Sequence, residues 1–246
     1  MEDHAESVLQ STGRVSEFAS VNAELLRQLG DLILARFGPA PLTTHRVVGI
    51  AGAGCVGKST FADALADILR RDHSYDCASV DLDGYLIEKS QRESSQPIIS
   101  GYHPRAFEVD RAAEDIARWR TAGRPFHLWI YDKVTSLRLP GKPVEASDLL
   151  IIEGACAFYE PLRDLGDLKI FLWASKQLQY ANRYHREKEE LKRPDAEIQE
   201  KFAHLYPDYE RYILPTLSLA DVVLEVEDGY RLKNPTFSIV QYQGSG

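Results

Sequence analysis

Residues 52–59, with the sequence GAGCVGKS, constrain the fold of this chain more than any other segment. They fit the pattern Gly-x-x-x-x-Gly-Lys-Ser/Thr, a loop that binds phosphate through its backbone N–H groups. A β-branched run with Val47, Val48 and Ile50 precedes the loop, as in a buried strand, and apolar residues follow at helical spacing. A glycine-rich turn without a ligand is the alternative interpretation, but the strand before it and the helix after it favour a nucleotide-binding P-loop.

The residue types in this P-loop suit a nucleoside triphosphate. Glycine permits a positive φ and a close approach of the backbone to phosphate oxygens, and the N-terminal end of the following helix is electropositive. Lys58 is placed to reach the β- and γ-phosphates, and the Ser59 hydroxyl is placed to bind Mg²⁺. The predicted nucleotide-binding residues are Gly52, Ala53, Gly54, Cys55, Val56, Gly57, Lys58, Ser59 and Thr60.

The composition of the chain limits its partners and its location. Its 246 residues are 44% hydrophobic and 27% charged, which is enough apolar material for a sizeable core. The formal net charge of −8 argues against non-specific nucleic-acid binding. No stretch approaches the roughly 20 apolar residues of a membrane span, the first residues do not resemble a signal peptide, and the cysteines are too few for a disulfide framework. We therefore expect a cytoplasmic protein that binds neither nucleic acid nor membrane.

Carboxylates end two further predicted strands. Residues 76–85 are predicted to form a strand that ends in Asp81, Asp83 and a glycine turn, and residues 148–154 a buried strand that ends in Glu153. Ligands of open parallel sheets bind at the carboxyl ends of the strands, so Asp81 or Asp83 is expected to face the γ-phosphate. Glu153 has the position of a Walker B carboxylate, which organises Mg²⁺ directly or through water. A turn cap is the alternative role for Asp83.

Strands that alternate with helices predict an α/β fold, a P-loop NTPase-type parallel sheet flanked by helices. The P-loop domain is expected over residues 42–232. Its second and third strand signals are roughly 65 residues apart, too many for a structureless loop, so residues 84–147 are expected to form an insert for a second substrate. A helix is predicted from Asp195 to Leu214, followed by a last strand at 220–226.

The two ends of the chain are predicted to lie outside the P-loop domain. Residues 1–41 are expected to form an N-terminal helical extension, with a helix that begins at Ser16 and stops near Gly38. This helix either packs against the domain or binds a partner. Residues 233–246 are expected to form a C-terminal tail.

Several further segments together resemble the uridine kinase, phosphoribulokinase and pantothenate kinase group of P-loop kinases. The resemblance extends from about Val47 to Val226 and rests on the order and spacing of short motifs. These are DGY at 83–85, HPRAF at 103–107, YDKVT at 131–135, EG with AFY at 153–159, LPT at 214–216 and ADVV at 220–223. Where this chain has HPRAF and YDKVT, the uridine kinases have His-Pro-Asp-Ala-Phe and Tyr-Asp-Phe-Val.

The resemblance implies transfer of a phosphoryl group from ATP, with Mg²⁺, to a hydroxyl of a small molecule. It implies that Asp83 is the general base and also contacts Mg²⁺ with Ser59 and Glu153. The segment RYHRE at 183–187 resembles the Arg-x-x-Arg-Asp of the family's lid, expected here at 183–196, with Glu in place of Asp. The catalytic residues implied are Asp83, Lys58, Arg183 and Arg186, and Arg183 and Arg193 are implied to contact substrate.

Two departures from the uridine kinases concern the phosphate acceptor. Tyr102 replaces the acidic residue that binds ribose hydroxyls, and Ser136 replaces the histidine that reads the pyrimidine. Two lost buried polar contacts of about 1–3 kcal/mol each correspond to roughly 10²–10⁴ in discrimination, which argues against uridine. The predicted acceptor-pocket residues are Tyr102, Arg105, Tyr131, Thr135 and Arg138, in addition to Asp83.

Three functions therefore remain open at the level of sequence. The first is a uridine-kinase-like phosphotransferase acting on a small hydroxylated metabolite. The second is a pantothenate- or sugar-type kinase of the same group, and the third is a catalytically silent ATP-binding regulator. The intact Asp83 and the Arg183 and Arg186 pair favour an enzyme, because a pure binder would not need them. A homo-oligomer is compatible with all three.

Overall fold

The computed structural model describes residues 13–237, which build a central six-stranded sheet with helices on both faces. The spatial order of the strands is β2-β5-β1-β6-β7-β8, all parallel except β8, which is antiparallel to β7. The predicted α/β fold with a parallel P-loop sheet is confirmed. The strands of this sheet are β1 (Arg46–Gly52), β2 (Cys77–Asp81), β5 (Leu149–Glu153), β6 (Leu168–Trp173), β7 (Val222–Val226) and β8 (Leu232–Phe237).

Helices follow β1, β2 and β6 of the parallel sheet. The helices are α1 (Ala23–Phe37), α2 (Lys58–His73), α3 (Lys89–Glu93), α4 (Val109–Ala122), α5 (Lys176–Glu189) and α6 (Asp195–Asp208). Single turns complete the set at Leu82–Tyr85, Pro104–Ala106, Leu162–Asp164, Tyr209–Ile213, Leu214–Leu219 and Asp228–Tyr230. Within residues 13–237, no helix is long and apolar enough to cross a membrane.

The register of the central strands places their carboxyl ends side by side at one edge of the sheet. In β1 and β5 almost every residue is buried, because helices cover both faces of the sheet. Glu153 of β5 lies opposite both Ile50 of β1 and Asp81 of β2. The P-loop after β1 and the carboxylates after β2 and β5 therefore meet at one edge of the sheet.

The N-terminal extension begins differently from the prediction. Residues 13–21 are already helical, so Ser16 does not start a helix, and the helix breaks at Asn22. The buried Asn22 side chain donates to the carbonyls of Phe18 and Tyr230 and accepts from the backbone N–H of Leu232. These contacts join the break to the far end of the chain.

Helix α1 fulfils the packing interpretation of the extension. Leu26, Leu29 and Ile33 are fully buried on one face, which packs against α2. The helix ends at Gly38, whose positive φ of 86° suits a helix terminus, as predicted.

Two predictions for the C-terminal third are wrong. The strand at Val222–Val226 is not the last, because β8 adds an antiparallel edge, so residues 233–237 belong to the sheet rather than to a tail. The remaining predicted tail, 238–246, lies outside the described residues. Helix α6 ends at Asp208 instead of Leu214, because a wider turn at Tyr209–Ile213 takes over before Pro215.

The insert at 84–147 contains a separate antiparallel hairpin of β3 (Phe126–Tyr131) and β4 (Arg138–Val144). The hairpin packs on the turn at Leu82–Tyr85. A side chain at Gly84 would overlap the Trp129 carbonyl, so glycine permits this close approach. The hairpin thereby lies directly beside the carboxylates that end β2.

Candidate active site

One cavity of about 1340 Å³ opens at the carboxyl edge of the sheet. It is bounded by the P-loop, the turn after β2, the end of β3 and helices α5 and α6. The predicted site residues that line it are Gly54, Cys55, Gly57, Lys58, Ser59, Thr60, Asp83, Tyr102, Tyr131, Glu153, Arg183, Arg186 and Arg193.

The P-loop has the geometry expected before a helix that binds phosphate. Gly57 has a left-handed φ of 88°, and α2 begins at the next residue. The buried Lys58 Nζ donates to the carbonyl oxygen of Ala53 at 2.8 Å, which holds the lysine across the loop. Gly52, Ala53 and Val56 do not line the cavity, and a side chain at Gly52 would overlap the Leu172 carbonyl.

Three carboxylates surround the end of the P-loop helix. The Ser59 hydroxyl donates to Glu153 Oε1 at 2.6 Å, so the two predicted Mg²⁺ ligands are already in contact. Asp81 accepts from the backbone N–H of Asp83 at 2.8 Å and thereby caps the turn. The cap role considered for Asp83 therefore belongs to Asp81, and the Asp83 carboxylate lines the cavity.

Lys133 sets the electrostatic environment of these carboxylates. Its Nζ lies 3.4 Å from Asp83 Oδ2 and 4.0 Å from Asp81 Oδ2. Burial acts to raise the pKa of Asp83, but the charges of Lys133 and Lys58 outweigh it and lower that pKa. Burial raises the pKa of Glu153, and burial beside Asp83 raises that of Asp81. Of the two carboxylates on this turn, Asp83 is thus the one that is held ionised.

The site fits a nucleotide with Mg²⁺. The Arg186 Nε is buried and has no hydrogen-bond partner in the described part of the chain, which suits an anion that is brought in by a ligand. Ser59 and Glu153 would hold Mg²⁺, which would neutralise phosphate charge when bound. No cluster of three His, Cys, Asp or Glu residues suited to a metal occurs within residues 13–237. Mg²⁺ commonly takes one or two carboxylates and completes its shell with phosphate and water.

A buried ion-pair cluster organises the segment that was predicted to form the lid. Glu187 Oε1 contacts Arg183 Nη1 at 2.9 Å and Lys201 Nζ at 2.8 Å, and its Oε2 contacts Arg193 Nη1 at 2.8 Å. The Glu187 side chain is fully buried. This cluster joins α5 to α6 and fixes two of the predicted lid arginines.

Tyr102 lies on the nucleotide side of the cavity. Its hydroxyl accepts from the Gly54 backbone N–H at 2.6 Å and from Arg183 Nη2 at 3.0 Å. A side chain at Gly54 would overlap both groups, so glycine is required for this contact. The predicted pocket residue is therefore present, but it contacts the P-loop and the lid.

Three predicted acceptor residues lie outside the cavity, which corrects the set derived from sequence. Arg138 is held in an ion pair with Glu108. The Thr135 hydroxyl donates to Asp132 Oδ2 at 2.5 Å, and Thr135 lines a smaller pocket that adjoins the cavity and shares Ser136 and Arg193 with it. Arg105 is exposed on the turn at Pro104–Ala106.

A family model decides the relationship of the chain to known proteins. The model described as "Phosphoribulokinase / Uridine kinase family" matches residues 47–230, more than half of the chain. The chain belongs to this family. Members of the phosphoribulokinase / uridine kinase family use ATP with Mg²⁺ and phosphorylate hydroxyl groups, so the chain is a small-molecule kinase.

Curated uridine kinases and a solved kinase structure resemble the chain. The uridine kinase of Ligilactobacillus salivarius is 28% identical over 185 residues, which cover 72% of this chain and 84% of the relative. That of Streptococcus thermophilus is 31% identical over 183 residues, with coverage of 72% and 84%. The structure of D-glycerate 3-kinase from Cryptococcus neoformans has a TM-score of 0.67 at 13% identity, covering 87% of this chain and 99% of the other. The structural likeness shows the shared fold alone.

Three residues of the site were missed by sequence reasoning. Lys133 and Arg92 line the cavity, and the fully buried Glu187 holds two arginines that line it. Lys133 had a visible signal, because it replaces the phenylalanine of the family's Tyr-Asp-Phe-Val. Glu187 also had one, as the glutamate that replaces the aspartate of Arg-x-x-Arg-Asp. Arg92 stands in a polar stretch without a motif, and only the fold brings it beside Tyr131.

Proposed function

We propose that this kinase transfers the γ-phosphate of ATP to a hydroxyl of a small metabolite, with Asp83 as the general base. The observation that carries the proposal is the meeting of Lys58, Ser59 and Glu153 with Asp83 in one cavity. Asp83, which Lys133 and Lys58 hold ionised, lies in the same cavity as the groups expected to bind ATP and Mg²⁺, where an acceptor hydroxyl could reach it.

The proposed step needs only groups that line the cavity. An Asp83 carboxylate oxygen accepts the proton of the acceptor hydroxyl as the acceptor oxygen forms a bond to the γ-phosphorus. The bond from the γ-phosphorus to the oxygen shared with the β-phosphate breaks, and that oxygen leaves with ADP. Lys58, Arg183 and Arg186 neutralise the transferring group, since such catalysis is mainly positioning and charge stabilisation.

The acceptor is proposed to be something other than uridine, although the curated relatives are uridine kinases. Tyr102 stands in place of the carboxylate expected for ribose hydroxyls, and its hydroxyl is already used by Gly54 and Arg183. Ser136 stands in place of the base-reading histidine. A sugar-type or hydroxy-acid acceptor, as the name of the D-glycerate 3-kinase suggests for that protein, fits these losses better.

A metabolite screen tests the proposed function. The enzyme is incubated with ATP and Mg²⁺ in pools of nucleosides, sugars and hydroxy acids, and phosphorylated products are detected by mass spectrometry. Asp83→Asn is expected to lower kcat by about 10²–10⁴, while ATP affinity measured by isothermal titration stays within a few-fold. Unchanged turnover in this variant would exclude Asp83 as the base. Binding of ATP without any product would favour the silent regulator instead.

Location and assembly stay predictions of this proposal. A kinase of a small metabolite is expected in the cytoplasm, and cell fractionation checks this. The oligomeric state is measured by light scattering of the purified chain.

A further inference from the structure

Most of the basic side chains that line the cavity are neutralised by a carboxylate. Arg183, Arg193 and Lys201 share Glu187, Lys133 pairs with Asp83, Lys89 with Glu93, and Arg14 with Glu190. Within residues 13–237, no carboxylate lies within 4.0 Å of Lys58, Arg92 or Arg186. ATP accounts for Lys58 and Arg186, whereas nothing in the donor site accounts for Arg92.

Neutral oxygens hold the Arg92 guanidinium in place. Its Nε donates to the Ile87 carbonyl at 3.2 Å and its Nη2 to the Tyr131 hydroxyl at 2.8 Å. Its Nη1 lies beside Gly101, where an added methyl group would come within 3.4 Å. The side chain is half-buried and lines the cavity, so a fixed positive charge faces the cavity without a counter-charge.

The position of Arg92 relates it to the acceptor rather than to ATP. Tyr131, its hydrogen-bond partner, ends β3, and Lys133 two residues later contacts Asp83. Two residues of extended chain span about 7 Å, so the guanidinium and the proposed base are held by neighbouring parts of one segment. Leu86 and Ile99 supply apolar lining at this end of the cavity.

We propose that Arg92 binds an anionic group of the acceptor, a carboxylate or a phosphate monoester, while the acceptor hydroxyl faces Asp83. The proposal rests on the kinase function proposed above and names its substrate class. The planar guanidinium matches such groups by paired hydrogen bonds. A neutral nucleoside or sugar would leave the charge desolvated and without a partner in the occupied site.

Matched acceptor pairs test this inference. D-glycerate is compared with glycerol, and ribose 5-phosphate with ribose, by ADP release with ATP and Mg²⁺. We expect the anionic member of at least one pair to have a kcat/KM about 10- to 100-fold above its neutral partner. A preference for D-glycerate over glycerol indicates a carboxylate, and a preference for ribose 5-phosphate over ribose indicates a phosphate. A preference for the neutral members would overturn the inference and leave the kinase function intact.

Variants assign the preference to Arg92. Arg92→Gln is expected to lower kcat/KM for the anionic acceptor about 10- to 100-fold, with KM for ATP within twofold, and Arg92→Lys is expected to restore part of the loss. Arg27→Gln removes an exposed arginine that pairs with Glu24 and Asp31 outside the cavity; it is the charge-matched control and should change kcat/KM by less than about threefold. An equal loss on anionic and neutral acceptors would indicate a structural role and refute the assignment.

A binding measurement separates this inference from the kinase function. The enzyme is saturated with a non-hydrolysable ATP analogue and Mg²⁺, and the same compounds are titrated by calorimetry. If no compound is phosphorylated but an anionic one binds and Arg92→Gln abolishes the binding, the proposed phosphoryl transfer to these compounds fails, whereas the anion site at Arg92 stands. If no anionic compound binds, or if its binding is indifferent to Arg92, the inference is overturned.

Discussion

Replacement of Glu187 is expected to lower the stability of the fold. Its carboxylate is fully buried and contacts Arg183, Arg193 and Lys201 at 2.8–2.9 Å. Burial acts to raise the pKa of Glu187, but hydrogen bonds and charge from Lys201, with the charge of Arg183 and a hydrogen bond from Arg193, lower it from 4.5 to about 2. This difference corresponds to about 3 kcal/mol of stability at neutral pH. This value agrees with the usual cost of removing one member of a buried ion pair, about 3–5 kcal/mol.

Glu187→Gln should therefore lower the free energy of unfolding in urea by about 3 kcal/mol at pH 7, or Tm by about 6–12 °C. Because the folded-state pKa is depressed, the stabilisation is complete above the unfolded value near 4.5 and is lost as the pH falls toward 2. The difference between wild type and Glu187→Gln should narrow over that interval.

A control on the same helix end isolates the effect of burial. Glu190 pairs with Arg14 at 2.9 Å, but its side chain is 44% exposed. Glu190→Gln should change the unfolding free energy by less than about 1 kcal/mol. The reasoning is refuted if Glu187→Gln also stays within about 1 kcal/mol of wild type, or if its deficit does not depend on pH.

Three further substitutions test other parts of the structure. Asn22→Ala removes three hydrogen bonds at a buried site and should lower the unfolding free energy by about 2–3 kcal/mol in urea titrations, whereas an exposed loop would show less than about 0.5. Tyr102→Phe removes the hydroxyl that contacts the P-loop, so steady-state kinetics should show a changed KM for ATP and an unaltered KM for the acceptor. A changed KM for the acceptor alone would indicate that Tyr102 contacts the acceptor. Gly57→Ala adds a methyl group about 3.0 Å from the Tyr230 ring at a left-handed φ. It should cost about 1–2 kcal/mol and weaken ATP binding in calorimetry, and wild-type affinity would contradict the geometry described for the loop.

The donor half of the site could be predicted from sequence because its chemistry lies in one short segment. The P-loop, the strand before it and the helix after it are contiguous, so the sequence alone indicates the role of residues 52–60. Glu153 follows from the same logic, since a buried strand of the same sheet ends at it. The resemblance to the family then supplied roles for Asp83 and the lid arginines.

The acceptor half could not be predicted as well because its contacts join distant segments. Arg92 reaches Tyr131 across 39 residues, and Tyr102 reaches Arg183 across 81. Arg138 and Thr135 were predicted as pocket residues, but Arg138 pairs with Glu108, 30 residues away, and Thr135 bonds to the nearby Asp132.

The ends of the chain escaped prediction for a related reason. Strand β8 contains Pro235, which weakens any strand pattern but is tolerated in an edge strand. The helix break at Asn22 depends on the backbone of Tyr230 and Leu232, about 210 residues away. Local patterns carry no information about such partners.

The separation of the β3–β4 hairpin from the main sheet has a consequence for how this enzyme could acquire new substrates. The hairpin has no strand pairing with the six-stranded sheet, yet Tyr131 and the adjoining Lys133 extend from its end into the cavity. Substitutions there can change what is recognised without disturbing β1, β5 or the nucleotide loop. Exchange of this hairpin between family members should therefore alter acceptor preference while ATP binding is kept, provided that glycine is kept at position 84.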